Sequence, residues 1–122
     1  MTATAWQKLE GALVFVGAAL WLWAHAPGWP WWLWPVLVLL PDLAIIGYLA
    51  GPRLGALFYN GAHLYAGGLI LGGAGHAFGL PVTITDLGLI WIAHVGFDRM
   101  LGYGLKEASG FHDTHLGRIG RR

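Results

Sequence analysis

Apolar residues run almost unbroken over 6–24, 31–50, 54–71 and 82–103, and the breaks between these runs carry turn formers. Helices of about twenty residues cross a hydrocarbon core of about 30 Å. The pattern therefore predicts an all-α polytopic membrane protein, a four-transmembrane-helix bundle in one domain over 1–122, with a polar tail at 104–122. Lys8 and Glu10 precede the apolar core of the first run. A signal peptide with an Ala24-His25-Ala26 cleavage site is the competing reading. It is rejected because Glu10 abuts the apolar core and Pro27 would follow the cut. Pro27-Gly28-Trp29-Pro30 and Gly51-Pro52-Arg53 read as turns. In the second run Pro41 lies mid-span, where it should kink the helix and free backbone carbonyls beside Asp42. Gly47, Gly51 and Gly55 recur every four residues, as do the pairs Ala62 and Ala66, and Gly68 and Gly72. Small residues at this spacing let helices approach closely in lipid.

Composition narrows the class. Charged residues make up 11% of the chain and hydrophobic ones 57%, whereas a soluble domain carries about a quarter charged residues. The eight Trp fit a membrane–water interface. With no Cys, disulfides, thiolate metal sites and a Cys nucleophile are excluded, and nothing points to a nucleic-acid partner. All seven basic residues, Lys8, Arg53, Arg99, Lys106, Arg118, Arg121 and Arg122, fall at the N-terminus, the second loop, the C-terminal tail or span ends facing them. The positive-inside rule then places both termini in the cytoplasm. Lys106 and the terminal arginines are expected to meet anionic lipid headgroups.

The polar groups inside the apolar runs carry the candidate chemistry. At about 1.5 Å per helical residue, Asp42 lies ~12 Å, His63 ~15 Å and His94 ~13 Å from the cytoplasmic ends of their spans. Asn60 and Asp98 lie nearer the surface, and Glu10 is at the mouth of the first span. Trp91, His94, Asp98 and Leu101 share one helix face by spacing. Buried ionisable groups in lipid are costly unless paired, hydrated or bound. Three readings follow. A divalent metal could be held by His63, His94, Asp98 and Asp42, since bundles build carboxylate–His sites on facing helices. A b-type haem could sit between His63 and His94. A metal-free network could use His94, Asp98 and His63 as acid and base, or merely hold helices in register, with Arg99 paired to Asp98 or Asp42. In the tail, His112, Asp113 and His115 are either a solvated end or a cap, Phe111 anchoring the tail so that Asp113 and His115 close the cluster from below. His25, His76 and Asp86 fall near the outer face, where water is expected to satisfy them.

Pro41-Asp42-Leu43, Gly47-Tyr48, Gly51-Pro52, Gly55-Ala56, Tyr59-Asn60, His63, Tyr65, the run Ala93-His94-Val95-Gly96-Phe97-Asp98-Arg99, Leu101-Gly102-Tyr103-Gly104-Leu105-Lys106 and Asp113-Thr114-His115-Leu116-Gly117 form a specific set. Together they resemble a family of small bacterial membrane proteins catalogued as a domain of unknown function, over nearly the whole chain from Glu10 onward. The resemblance implies a four-helix membrane fold in a bacterial inner membrane and supplies no activity, substrate or cofactor.

Two functions from different classes are therefore expected. One is a small membrane enzyme, or a metal- or cofactor-binding protein, acting on a lipid-like or quinone-like molecule near the cytoplasmic leaflet. The alternative is a structural or accessory subunit of a homo-oligomer or membrane complex, its buried polar network doing no chemistry. The cost of placing ionisable groups from all four spans at one depth favours the first.

Overall fold

A computed structural model describes residues 1–25 and 27–120. Ala26 of the rejected cleavage site and the basic Arg121 and Arg122 lie outside the described residues. The chain is mostly helical, as its pattern predicts: α1 (Ala3–His25), α2 (Leu33–Leu39), a 3-10 segment (Leu40–Ala50), α3 (Pro52–Ala62), α4 (Tyr65–Ala77) and α5 (Val82–Leu101). A small antiparallel sheet follows, β1 (Lys106–Glu107), β2 (Gly110–Thr114) and β3 (Gly117–Arg118), in the order β1-β2-β3. Among the described residues one segment, Leu33–Ala50, is long and apolar enough to cross a membrane.

Pro41 shapes that segment. It has no N–H to offer the Leu37 carbonyl four residues back, and that carbonyl accepts from the Leu40 N–H three residues on instead. The backbone continues with 3-10 bonding to Ala50 rather than kinking and resuming an α-helix. The change lengthens it, because a 3-10 helix rises about 2.0 Å per residue against about 1.5 Å. Seven α residues and eleven 3-10 residues then extend about 32 Å, close to the thickness of a hydrocarbon core.

Helix α5 is the axis of the fold, with α1 along one side and α4 along another. Glycine makes both approaches possible. A Cβ on Gly96 would stand 2.8 Å from the Gly11 carbonyl oxygen, and one on Gly88 would stand 2.6 Å from the Gly68 carbonyl oxygen and the Gly72 nitrogen. Gly68 and Gly72, two of the regularly spaced small residues, thus serve helix packing. Gly47 and Gly55 do the same for the hairpin of the 3-10 segment and α3, seating Phe58 and Tyr48. Between them Gly51 turns the chain at φ +106°, a conformation that favours glycine.

Two elements depart from the expected pattern. The third apolar run is not one helix: α3 ends at Ala62, Leu64 is extended at φ −91° and ψ 142°, and α4 begins at Tyr65. Carbonyls freed by the break find side-chain donors on α5, the Trp91 indole to Ala62 at 2.6 Å and the Arg99 Nη2 to His63 at 2.8 Å. The tail, read from sequence as a polar end, is instead a sheet packed against α3. Asn60 locks it there, donating to the Lys106 carbonyl at 2.8 Å and accepting from the Lys106 N–H at 2.6 Å.

Candidate metal centre

Asp42, His63, His94 and Asp98 come from the 3-10 segment, the end of α3 and two successive turns of α5. One donor atom from each converges on a common point, all four within 4.8 Å of one another. His63 Nε2 stands 3.1 Å from Asp42 Oδ1, 3.5 Å from Asp98 Oδ2 and 3.2 Å from His94 Nε2. His94 Nε2 stands 3.3 Å from Asp42 Oδ1 and 3.6 Å from Asp98 Oδ2. Nitrogen and oxygen ligands about 2.0–2.1 Å from a tetrahedral ion stand about 3.3–3.4 Å apart. Five of the six edges bracket that value, and the sixth, between the Asp42 and Asp98 carboxylates, lies within 4.8 Å.

The hydrogen count makes the same point. His63 Nδ1 lies 2.8 Å from the Tyr59 carbonyl oxygen, which can only accept, so Nδ1 carries the hydrogen. In the neutral imidazole, Nε2 is then a lone pair aimed at two carboxylates and a second imidazole. Of the four converging atoms, at most His94 Nε2 brings a hydrogen when both rings are neutral. An imidazole held through Nδ1 by a backbone carbonyl, with Nε2 turned to a shared point, is the arrangement of a metal-ligating histidine. Tyr59 supplies that carbonyl and also stacks on the His63 ring, centroids 3.7 Å apart and planes 8° apart. The helix break is what places these groups: His63 caps α3, and the chain turns away beyond it.

The donor set is closed behind and open in front. His63 is fully buried and His94 is buried, whereas the Asp42 side chain is 36% exposed. Two cavities meet at Asp42, Asp98 and Tyr103. One, of about 450 Å³, also reaches His94 and has otherwise apolar walls that include Phe15, Val38, Leu39 and Phe97. The other, of about 320 Å³, lies against the tail, with Tyr59, Lys106 and Phe111 in its wall. Lys106 is buried. Its Nζ lies 3.9 Å from the Phe111 ring centroid and 4.9 Å from that of Tyr59. Burial pushes its ammonium below the ordinary lysine value, and the Asp98 and Asp42 carboxylates act in the opposite sense.

Other residues singled out by sequence lie elsewhere or act differently. Glu10 is exposed and outside the cluster. Asn60 clamps the tail. Arg99 is not paired with either aspartate. It is buried and spans two carbonyls, those of His63 and Tyr103. Asp113 accepts from Ser109 and Arg118, and the His115 Nδ1 accepts from the Leu105 N–H. Both hold the tail's own turns and neither faces the tetrad, although Phe111 does reach the cavity beneath it. A haem between His63 and His94 is ruled out by distance, since nitrogens 3.2 Å apart leave no room for a porphyrin plane. Near the other end of α5, Asp86 is 1% exposed and held by His25 at 2.8 Å rather than left to water. His76, as expected, is exposed.

Residues 4–119 match the family described as Domain of unknown function (DUF4260). The chain belongs to the DUF4260 family. The match takes in all four residues of the tetrad and the tail sheet, so the site belongs to the DUF4260 region itself. No curated protein and no solved structure matches the chain.

Sequence reasoning missed Tyr59, Trp91 and Lys106 as parts of the site. Trp91 was on the named face of α5, but only the helix break gives its indole a carbonyl to serve. Lys106 read as a surface cation because the sheet that buries it has strands of two and five residues, too short for a period-two signal.

Proposed function

We propose that this is a multi-pass inner-membrane protein with an intramembrane divalent-metal centre, Asp42, His63, His94 and Asp98, acting on a lipid-like or quinone-like amphiphile. The observation that carries the reading is the convergence of four donor atoms of which at most one brings a hydrogen. Two carboxylates and two neutral imidazoles around a divalent ion sum to zero charge, which lowers the cost of the cluster in a low-dielectric surround. Mixed imidazole and carboxylate ligands suit zinc, iron or manganese.

Four membrane crossings, by α1, Leu33–Ala50, the α3 and α4 pair, and α5, are supported by the apolar outer surface. Leu20, Leu49, Leu57 and Ile70 are each more than three-fifths exposed, as lipid-facing residues should be. The one-sided basic residues support cytoplasmic termini.

Four protein ligands close a structural site, whereas a catalytic ion keeps one position open to water or substrate. Such a position would lie beside Asp42 and Asp98, where the two cavities reach the donor set. A bound ion there supplies Lewis acidity toward a carbonyl or phosphoryl oxygen. The chain's own groups do the rest. Tyr59 fixes the His63 tautomer, Arg99 holds the α3 terminus against α5, and the apolar cavity orients a chain and excludes water. Comparative lipid analysis of membranes containing wild type or His63→Ala tests the reading. A lipid or quinone species should change in amount with wild type only, and identical profiles would refute an enzymatic role in favour of a structural subunit.

A further inference from the structure

We propose that the cavity beneath the tail sheet is the headgroup site of a phosphate-bearing membrane lipid, with Lys106 as its anchoring cation. The proposal rests on the metal reading above and names the substrate class for that centre.

The first ground is the way Lys106 is held. Asn60 bonds its backbone on both sides, so the position of the residue is set independently of its ammonium. The residue is 5% exposed, and lysine is rarely so buried without a partner. Yet among the described residues no carboxylate comes within 4.0 Å of its Nζ. The ammonium rests on the Phe111 and Tyr59 ring faces instead, an arrangement that supports a cation without using up its hydrogens. It lies in the wall of a cavity that also reaches Asp42 and Asp98.

The second ground is charge. Beside two carboxylates alone, an anion would be repelled. Once a divalent ion neutralises the tetrad, Lys106 is the remaining charge in the cavity wall, and the cavity favours an anion. Lysine is a point charge that serves a phosphate from any direction.

The third ground is shape. The headgroup cavity and the 450 Å³ apolar cavity share Asp42, Asp98 and Tyr103. A molecule with its phosphate at Lys106 and its chain along Phe15, Val38 and Phe97 therefore passes the metal centre at the junction of head and tail. A free phosphate would leave the adjoining apolar cavity without an occupant.

Native mass spectrometry of the detergent-purified protein, with metal content measured on the same samples, tests this. Phosphatidic acid, diacylglycerol and inorganic phosphate are the probes, and wild type, Lys106→Met and Lys106→Arg are the proteins. Wild type should retain phosphatidic acid at least about tenfold more tightly than diacylglycerol, the scale of one charged hydrogen bond. Lys106→Met should lose that preference with its metal content unchanged, and Lys106→Arg should keep most of it, which separates lost charge from misfolding. Metal-loaded wild type that holds both lipids equally would overturn this proposal and leave the metal centre standing. Inorganic phosphate bound as tightly as phosphatidic acid would overturn the lipid as its source. Wild type without metal would overturn both readings.

Discussion

Replacing His94 with alanine removes one of four converging donors while leaving the backbone of α5 intact. The residue sits between Ala93 and Val95 in a helix whose packing depends on Gly88 and Gly96, so its loss leaves a small polar gap and no broken helix contact. Four-ligand zinc sites in small domains contribute about 10–16 kcal/mol of apparent binding free energy. A quarter of that, about 3 kcal/mol, corresponds to a weakening of more than about 100-fold. Water reaching the gap through the Asp42 edge would hold the loss near the lower end. The assay is competition for the ion between the purified protein and a chromophoric chelator, with His76→Ala as the control, since His76 is exposed and outside the tetrad. A His94→Ala protein that holds its ion as tightly as the control would show that the 3.2 Å contact between His94 and His63 is part of a proton-sharing network and not of a coordination shell.

Asp42→Asn keeps the shape of the side chain and removes a negative charge, so metal affinity should fall while the thermal stability of the metal-free protein changes little. Asp42→Ala should lower affinity further, and equal affinities for all three proteins would mean that Asp42 is not a ligand. His25→Ala leaves the buried Asp86 carboxylate without its 2.8 Å partner, and should destabilise the fold by about 1–3 kcal/mol with metal content unchanged, readable as a drop in melting temperature. Retention of phosphatidic acid should be complete at neutral pH and lost as pH rises through the lowered value of Lys106, earlier than an ordinary lysine would titrate. The groups facing that ammonium are Tyr59, Asp42 and Asp98, and retention that does not fall as pH rises through the lysine range would mean that the ammonium does not hold the phosphate.

Much of this site was legible in the chain. Depth counting put Asp42, His63 and His94 at one level because helical rise is nearly constant, and the one-turn spacing of His94 and Asp98 put both on one face of α5. The helix break at His63 was not legible. No proline marks it, and the cost of the freed carbonyls is offset by Trp91 and Arg99, which are distant in sequence. The 3-10 geometry after Pro41 was half visible: the missing N–H was plain, but not that the chain would answer by changing its bonding rather than by kinking. The role of Asp86 was hidden because His25 meets it across 61 positions of sequence. The tail was hidden because its strands are too short for a pattern, and its anchor to the bundle is an asparagine on α3 that lies 46 positions from Lys106.

Elemental analysis of the wild-type protein, purified in detergent without chelators or affinity metals, tests the central claim most directly. The account predicts close to one equivalent of a single divalent transition metal per chain, released only by strong chelation. Protein that is folded and homogeneous but carries no metal above background, and takes up none when zinc, iron or manganese is supplied, would contradict it.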